Sequence, residues 1–294
     1  MISPVYILIT PAHNEEDFIE KTIESVVAQT TRPLKWVIVD DGSTDKTAAI
    51  ADDWASRHPF IQVIKLKRDN QRSFARKAHA FTEGLKIVEE LPFEFIGNVD
   101  ADMSFAPDYF ENILKDFEVD PKLGIGGGIV YTKFTKEFVT YDNTEDSVGG
   151  KVQLFRRQCF YDVGGYLPLK YGGIDTAAEV IARMKGWVVR KSFKFPAYEH
   201  RRTSFSWGGP VKAKIKEGAH FHSLGYDPLF YFFRCMYRLA EYPFLIGSLA
   251  ALYGYIKCTI IRREIVLPPE VVSYLRAEQR TKLKRTLRLR SGQA

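Results

Sequence analysis

Within its first hundred residues the chain alternates short β-branched apolar runs with helical patterns, and two of those runs end directly in paired acids. Residues 5–10, 36–39, 61–66 and 93–99 read as strands. Between them, helices are expected from Asn14, with Phe18, Ile19, Ile23, Val26 and Val27 as apolar face, around Ala48, Ala51, Trp54 and Ala55, and over 74–88. Asn14 is placed to cap the first, with Glu15, Glu16 and Asp17 in its first turn. Such alternation is how a mostly parallel sheet with crossover helices is written. Open sheets of this kind bind ligands beyond the carboxyl ends of their strands, where the acid clusters Asp40-Asp41 and Asp100-Ala101-Asp102 fall.

Beyond about Gly124 the pattern loosens. Glycines 126–128, a strand-like 152–155, the Gly164-Gly165 break, a helix over 176–185 and a strand over 188–195 suggest a mixed half. The expected organisation is therefore a domain over 1–200, divided at 123/124, and a separate segment over 201–294. Charge supports the last boundary: 17 Lys and Arg stand against 6 Asp and Glu from Arg201 onward, so the net +6 combines +11 there with −5 before it. Residues 242–261 carry Lys257 as their sole charge, long enough to cross a bilayer. They also contain Pro243, Gly247 and Gly254, and are flanked by Arg234 and Arg238 on one side and Arg262 and Arg263 on the other. An interfacial or re-entrant helix satisfies both flanks; a span and an apolar core or dimer helix remain open. A final helix from Pro268-Pro269 sets Val272, Leu275, Leu283 and Leu287 among seven basic residues from Arg276 to Arg290, which suits an anionic lipid surface. Cys159, Cys235 and Cys258 have no metal-ligand spacing, and residues 1–9 lack the features of a secretory leader; both favour a reducing, cytosolic setting.

Two carboxylates one residue apart at a strand end can face a divalent cation, which bridges naturally to a diphosphate. Acidic turns after strands are common, so Asp100-Ala101-Asp102 gains weight from its company: Thr10-Pro11-Ala12-His13-Asn14-Glu15-Glu16 and Val39-Asp40-Asp41-Gly42-Ser43-Thr44-Asp45. With these three segments in this order, the chain resembles family 2 of the glycosyltransferases over roughly residues 5–200. The resemblance implies an α/β fold of GT-A type, Rossmann-like, with a mostly parallel central sheet flanked by helices, here carrying a C-terminal helical, membrane-associating extension. It implies that Pro11, Ala12, Asn14, Glu15 and Asp41 hold the nucleotide-sugar, supported by Asp40, while Asp45 is a turn or cap residue. Asp100, Ala101 and Asp102 are implied to meet the diphosphate, with Asp102 and Asp100 binding Mn2+ or Mg2+ and His200 as a further metal ligand. Ala75-Arg76 matches a family pair, and Arg76, with Arg68, Asn70 and Arg72 nearby, is placed to meet the diphosphate or close over the base. The family glycine of that stretch is replaced by Gln71-Arg72-Ser73.

Further on, 155–157 and 160–166 resemble the family's acceptor wall, whose Gly164-Gly165 also reads as a helix C-cap. Gly173-Ile174-Asp175-Thr176 stands where the family has Gly-Glu-Asp-Thr, so the resemblance makes Asp175 the general base, with Glu179 a less favoured substitute. One base and one in-line displacement imply inversion at the anomeric carbon. Arg201 and Arg202 either meet a phosphate or are surface residues. The expected protein is an inverting, metal-dependent glycosyltransferase. It would move a sugar from a nucleotide-diphosphate sugar to an acceptor glycan or lipid-linked glycan in cell-surface polysaccharide or glycolipid synthesis, at the cytoplasmic side of the membrane. A polyprenyl-phosphate sugar synthase and a non-catalytic nucleotide-sugar-binding subunit are the alternatives. Nucleic acid is not an expected partner, because the basic tail contains no reader module, and Pro11-Ala12-His13 after the first strand excludes a dinucleotide fingerprint.

Overall fold

The computed structural model describes residues 4–67, 75–134, 137–140, 144–201, 209–240 and 242–291, without the side chains of 134 and 287–291. The chain divides into two compact units, Met1–Leu169 with Ile174–Arg202, and Lys170–Gly173 with Thr203–Ala294.

The first unit is built on β1 (Tyr6–Ala12), α1 (Ile19–Val27), β2 (Lys35–Asp40), α2 (Thr47–Arg57), β3 (Ile61–Lys65), α3 (Ala75–Val88), β4 (Phe95–Val99), β5 (Met103–Phe105), α4 (Tyr109–Val119), β6 (Leu123–Phe134), β7 (Glu137–Val139), β8 (Val152–Arg156), α5 (Arg157–Val163), α6 (Ile174–Met184) and β9 (Val188–Glu199). One mixed sheet runs in the order β3-β2-β1-β4-β8-β6-β9-β5, with β7 paired to β6. The first four strands of that order are mutually parallel. They are nearly continuous apolar runs because helices cover both faces. Tyr6 to Ile9 and Trp36 to Val39 are buried, and the Trp36 indole satisfies its N–H by donating to Thr10 Oγ1 at 2.9 Å. Gly84, in the middle of α3, lets that helix lie directly on the sheet: a Cβ there would sit 2.7 Å from Ile9 Cγ2. The register sets Ala12 beside Asp40 and Ile9 beside Asn98, so three strand tips end at one level.

Three expectations are corrected. Asn14 does not cap α1. It lies at φ +54°, a conformation Asn tolerates better than most residues, and its Oδ1 accepts from Thr44 N at 2.9 Å. The helix starts at Ile19, so Glu20 is the acid of its first turn and Glu15 is released toward the strand tips. The strand expected over 188–195 continues to Glu199 because it pairs with β5, Met103 opposite Glu199, and this brings Arg201 beside Asp102. Helix α6 begins at Ile174, so Asp175 lies inside its first turn. By contrast, Asp45 Oδ1 accepts from Thr47 N at 2.9 Å at the start of α2, and Gly164, at φ +82°, closes α5, as the sequence suggests.

The second unit consists of α7 (Pro210–Ser223), α8 (Pro228–Tyr237), α9 (Ile246–Ile260) and α10 (Pro269–Ser291). The 20-residue apolar run yields only the 15 residues of α9, about 22 Å at 1.5 Å per residue. Among the described residues no helix is long and apolar enough to cross a membrane. Helices α7 and α9 touch backbone to backbone. A Cβ on Gly218 would lie 1.8 Å from Ala251 O, and one on Gly254 would lie 2.0 Å from Ile215 O. Asp227 accepts from Leu229 N and Phe230 N at the head of α8, and Arg280 of α10 donates to its other oxygen at 2.8 Å. Gly254→Val forces α7 and α9 apart, and overpacking of this kind costs about 1–3 kcal/mol. A lower urea midpoint with unchanged far-UV circular dichroism at zero denaturant is the expected measurement.

Candidate functional site

The tips of β1, β2 and β4, the first turn of α3 and the segments before β8 and after β9 enclose a cavity of about 290 Å³. From the first segment it takes Pro11, Ala12, His13 and Glu15; from the second Asp41; from the third Asp100, Ala101 and Asp102. Arg76, Lys77 and Ala80 of α3 complete the wall with Lys151 and Arg201. Such a volume is at the small end for small-molecule sites.

Acids and cations interlock around it. Arg76 grips Asp41 with two N–H groups, Nε to Oδ2 at 2.7 Å and Nη2 to Oδ1 at 2.5 Å. Lys77 Nζ donates to Asp100 Oδ1 at 2.5 Å and to Gly150 O at 2.8 Å, and Asn98 Nδ2 reaches the same carbonyl at 3.0 Å. Arg201 donates to Glu15 Oε2, lies over the Phe18 ring at 5.3 Å, and approaches Asp102 Oδ2 at 3.6 Å. Lys151 donates to Glu199, whose other oxygen accepts from Thr132 Oγ1 at 2.7 Å. Asp102 is the exception: its Oδ1 is buried and accepts no hydrogen bond. Burial, and secondarily the charges of Asp100 and Glu199, push its carboxyl up to about 6 against the pull of Lys151 and Arg201. Glu15 is pushed up to about 7, mainly by burial, with Arg201 opposing and Asp102 and Asp100 adding to the rise.

Other expected residues stand elsewhere. Asp40 is buried within β2 and accepts from Ser43 N at 3.1 Å, shaping the acidic turn, and Asn14 is engaged with the same turn. The ring of His200 is not among the cavity walls: Nε2 is 2.8 Å from Ser104 Oγ and Phe138 meets it edge-on at 5.6 Å. Burial, then Lys21 and Lys133, lower its pKa. Among the described residues no three His, Cys, Asp or Glu side chains are arranged to hold a metal, so His200 is not a third ligand in this arrangement. Asp175 packs against Gly150, where a Cβ would meet its Oδ2 at 2.8 Å, one peptide behind the Lys77–Asp100 pair. Glu179 is committed to structure. Buried and with its pKa raised by burial and then by Asp175, it accepts from Val148 N, Gly149 N and Gln153 Nε2, which leaves it no role as a substitute base. Arg68, Asn70, Arg72 and Arg202 lie outside the described residues. Sequence reasoning missed Lys77 and Lys151; the adjacency of Lys77 to Arg76 and of Lys151 to Gly149-Gly150 was the available signal.

The family model for glycosyl transferase family 2 matches residues 7–164, more than half of the chain and every cavity residue but Arg201. The chain belongs to glycosyl transferase family 2. Among relatives, the family's chondroitin synthase of Escherichia coli is 31% identical over 120 residues, 41% of this chain and 16% of that protein. The poly-beta-1,6-N-acetyl-D-glucosamine synthase of Staphylococcus epidermidis is 31% identical over 113 residues, 38% of this chain and 25% of that protein. The chain thus spans about a quarter or less of the length of these relatives. A solved mannosyltransferase, PcManGT from Pyrobaculum calidifontis in complex with GDP-Man and Mn2+, superposes with a TM-score of 0.59 at 17% identity over 94% of this chain and 79% of that one. The fold is of the GT-A type.

Because folding raises the Asp102 pKa, the folded state holds the extra proton between pH about 4 and about 6, and stability is lost as pH rises through that window. A shift of two units is worth about 3 kcal/mol. Asp102→Asn therefore denatures at higher urea than the parent protein at pH 8, with the gap closing by pH 4.

Proposed function

We propose that this chain is an inverting glycosyltransferase that takes its sugar from a nucleotide-diphosphate sugar. The observation that carries the reading is the buried, unpartnered Oδ1 of Asp102 at the meeting point of three strand tips, inside the family-matched segment. A carboxylate oxygen so placed fits a hard divalent cation, whose remaining positions are filled by phosphate oxygens and water rather than by further side chains. Asp102, with Asp100 beside it, would hold Mn2+ or Mg2+, which when bound supplies neutralising charge to the departing diphosphate.

The chain's own residues do the rest. Pro11, Ala12 and Glu15 with Asp41 form the wall for the nucleoside, and Arg76, Lys77, Lys151 and Arg201 bring positive charge to the phosphates. Asp175 takes the proton of the acceptor hydroxyl onto its carboxylate. The acceptor oxygen bonds to the anomeric carbon from the face opposite the nucleotide, the bond to the diphosphate oxygen breaks, and configuration inverts. Support for Asp175 is its position behind Gly150, whose carbonyl is tied to the Lys77–Asp100 pair. The synthase relatives favour a glycan acceptor. The +11 charge of residues 201–294 and the exposed apolar side chains of α8 and α9 favour a lipid-linked one at the cytoplasmic face of a membrane.

Thermal-shift screening of UDP, GDP and dTDP with Mn2+ should find one nucleoside diphosphate that raises the melting temperature, a rise that Asp102→Asn removes. Protonation of Asp102 competes with the cation, so the rise should shrink from pH 7.5 to pH 5.5. Absence of a shift with every nucleotide would reject the reading. With the matching sugar donor, Asp175→Asn should retain the shift and lose transfer by about 100-fold or more; undiminished transfer would displace Asp175 as base.

A further inference from the structure

Helix α9 is apolar all round, which a water-facing helix is not. Gly247, Ala251, Gly254 and Cys258 are buried on one side. On the other, Ile246, Leu249, Tyr253, Ile256 and Ile260 recur at spacings of three and four, one helical stripe, each 46 to 75% exposed. Continuous exposed apolar surface of this kind marks an interaction site.

A polar crevice opens at the first turn of this stripe. It is lined by Gly247 and Ser248, which lie between Ile246 and Leu249 in the sequence, and by Lys214, Glu217, Arg234 and Arg238 from α7 and α8. Glu217 accepts from Lys214 Nζ at 2.7 Å and from Arg238 Nη1 at 3.2 Å, so one acid stands against three cations. Two groups in the crevice are unsatisfied. Tyr231 is 99% buried by its 1% exposure, and its hydroxyl has no hydrogen-bond partner; Arg234 Nε is buried, also without one, with the guanidinium over the Phe221 ring at 5.0 Å. Buried polar groups are ordinarily paired, so two orphans beside surplus positive charge point to an anion. The cavity itself measures about 10 Å³, room for a single water, so the anion would rest at the mouth, level with the apolar stripe.

We propose that the second unit docks on an anionic phospholipid leaflet, with the stripe of α9 among the acyl chains and one headgroup phosphate seated on Arg234 and Arg238. This rests on the membrane reading above and adds to it a particular face and a particular seat. Charge complementarity selects the occupant: a protein partner would cover the stripe without calling for surplus cations at its edge, whereas a lipid surface presents apolar chains and phosphate together.

The test is co-sedimentation of the full chain with vesicles of phosphatidylcholine alone and with 30% phosphatidylglycerol. The proteins compared are the parent, Arg234→Gln/Arg238→Gln, Arg234→Lys/Arg238→Lys and Leu249→Gln/Ile256→Gln. Binding to the anionic vesicles should exceed that to the neutral ones by about 10-fold or more, since each basic residue contributes appreciably at such a surface. The glutamine pair should abolish most of that preference, and the lysine pair should restore part of it. Replacing the two exposed apolar residues should weaken binding to both vesicles without shifting the melting temperature. If the parent sediments with neither vesicle, the membrane reading and the seat both fall. If the glutamine pair keeps the full preference while folding normally, only the seat is overturned. A melting-temperature rise with inorganic phosphate alone, lost in the glutamine pair, together with no anionic preference, would assign the crevice to a soluble anion and overturn the lipid commitment.

Discussion

The first unit is organised around the containment of negative charge. Glu15, Asp41, Asp100 and Asp102 converge on one crevice because parallel strands in matched register end together, and left alone they would repel one another. Arg76, Lys77 and Arg201 each reach across from a different element to pair with one of them, and Lys151 adds its charge from the start of β8. The balance is incomplete at Asp102, whose burial and open Oδ1 leave a proton or a cation as the natural counter-charge. Pairs of this kind, broken singly, leave a stranded buried charge, so the cluster constrains its neighbours as much as it is held by them.

The same elements link this cluster to the segment carrying Asp175. Lys77 binds Asp100 and Gly150 together; Glu179 holds the backbone at Val148 and Gly149; Gly150 has no Cβ and so lets Asp175 close in behind it. A buried glutamate one helical turn from an aspartate thus positions the strap on which that aspartate leans. Two similar carboxylates on one helix face have different tasks because one is saturated with backbone donors and the other is not, a distinction that spacing alone does not reveal.

In the second unit an apolar helix is shared between an interior face and a surface. Gly218 and Gly254 bring α7 and α9 into backbone contact, which fixes which side of α9 is covered and leaves Ile246, Leu249, Tyr253, Ile256 and Ile260 outward. The length of α9 and the polar crevice at its start give this unit a character between a core helix and a membrane span.

Much of this was written in the sequence. The four parallel strands, the acid clusters at their tips and the segment order P-x-x-N-E, DDGSTD and DAD are local patterns, because strand and turn chemistry act over a few residues. The basic, apolar last third was equally plain from composition. What the sequence could not set is partnership over distance. That Arg201 reaches Glu15 across 186 positions, that Lys77 and Lys151 join the site, that His200 turns to Ser104 and that Asn14 serves the neighbouring loop instead of a helix are decided by packing. Strand register and the extension of β9 along β5 put those groups within reach, and a charge takes the nearest partner that burial allows.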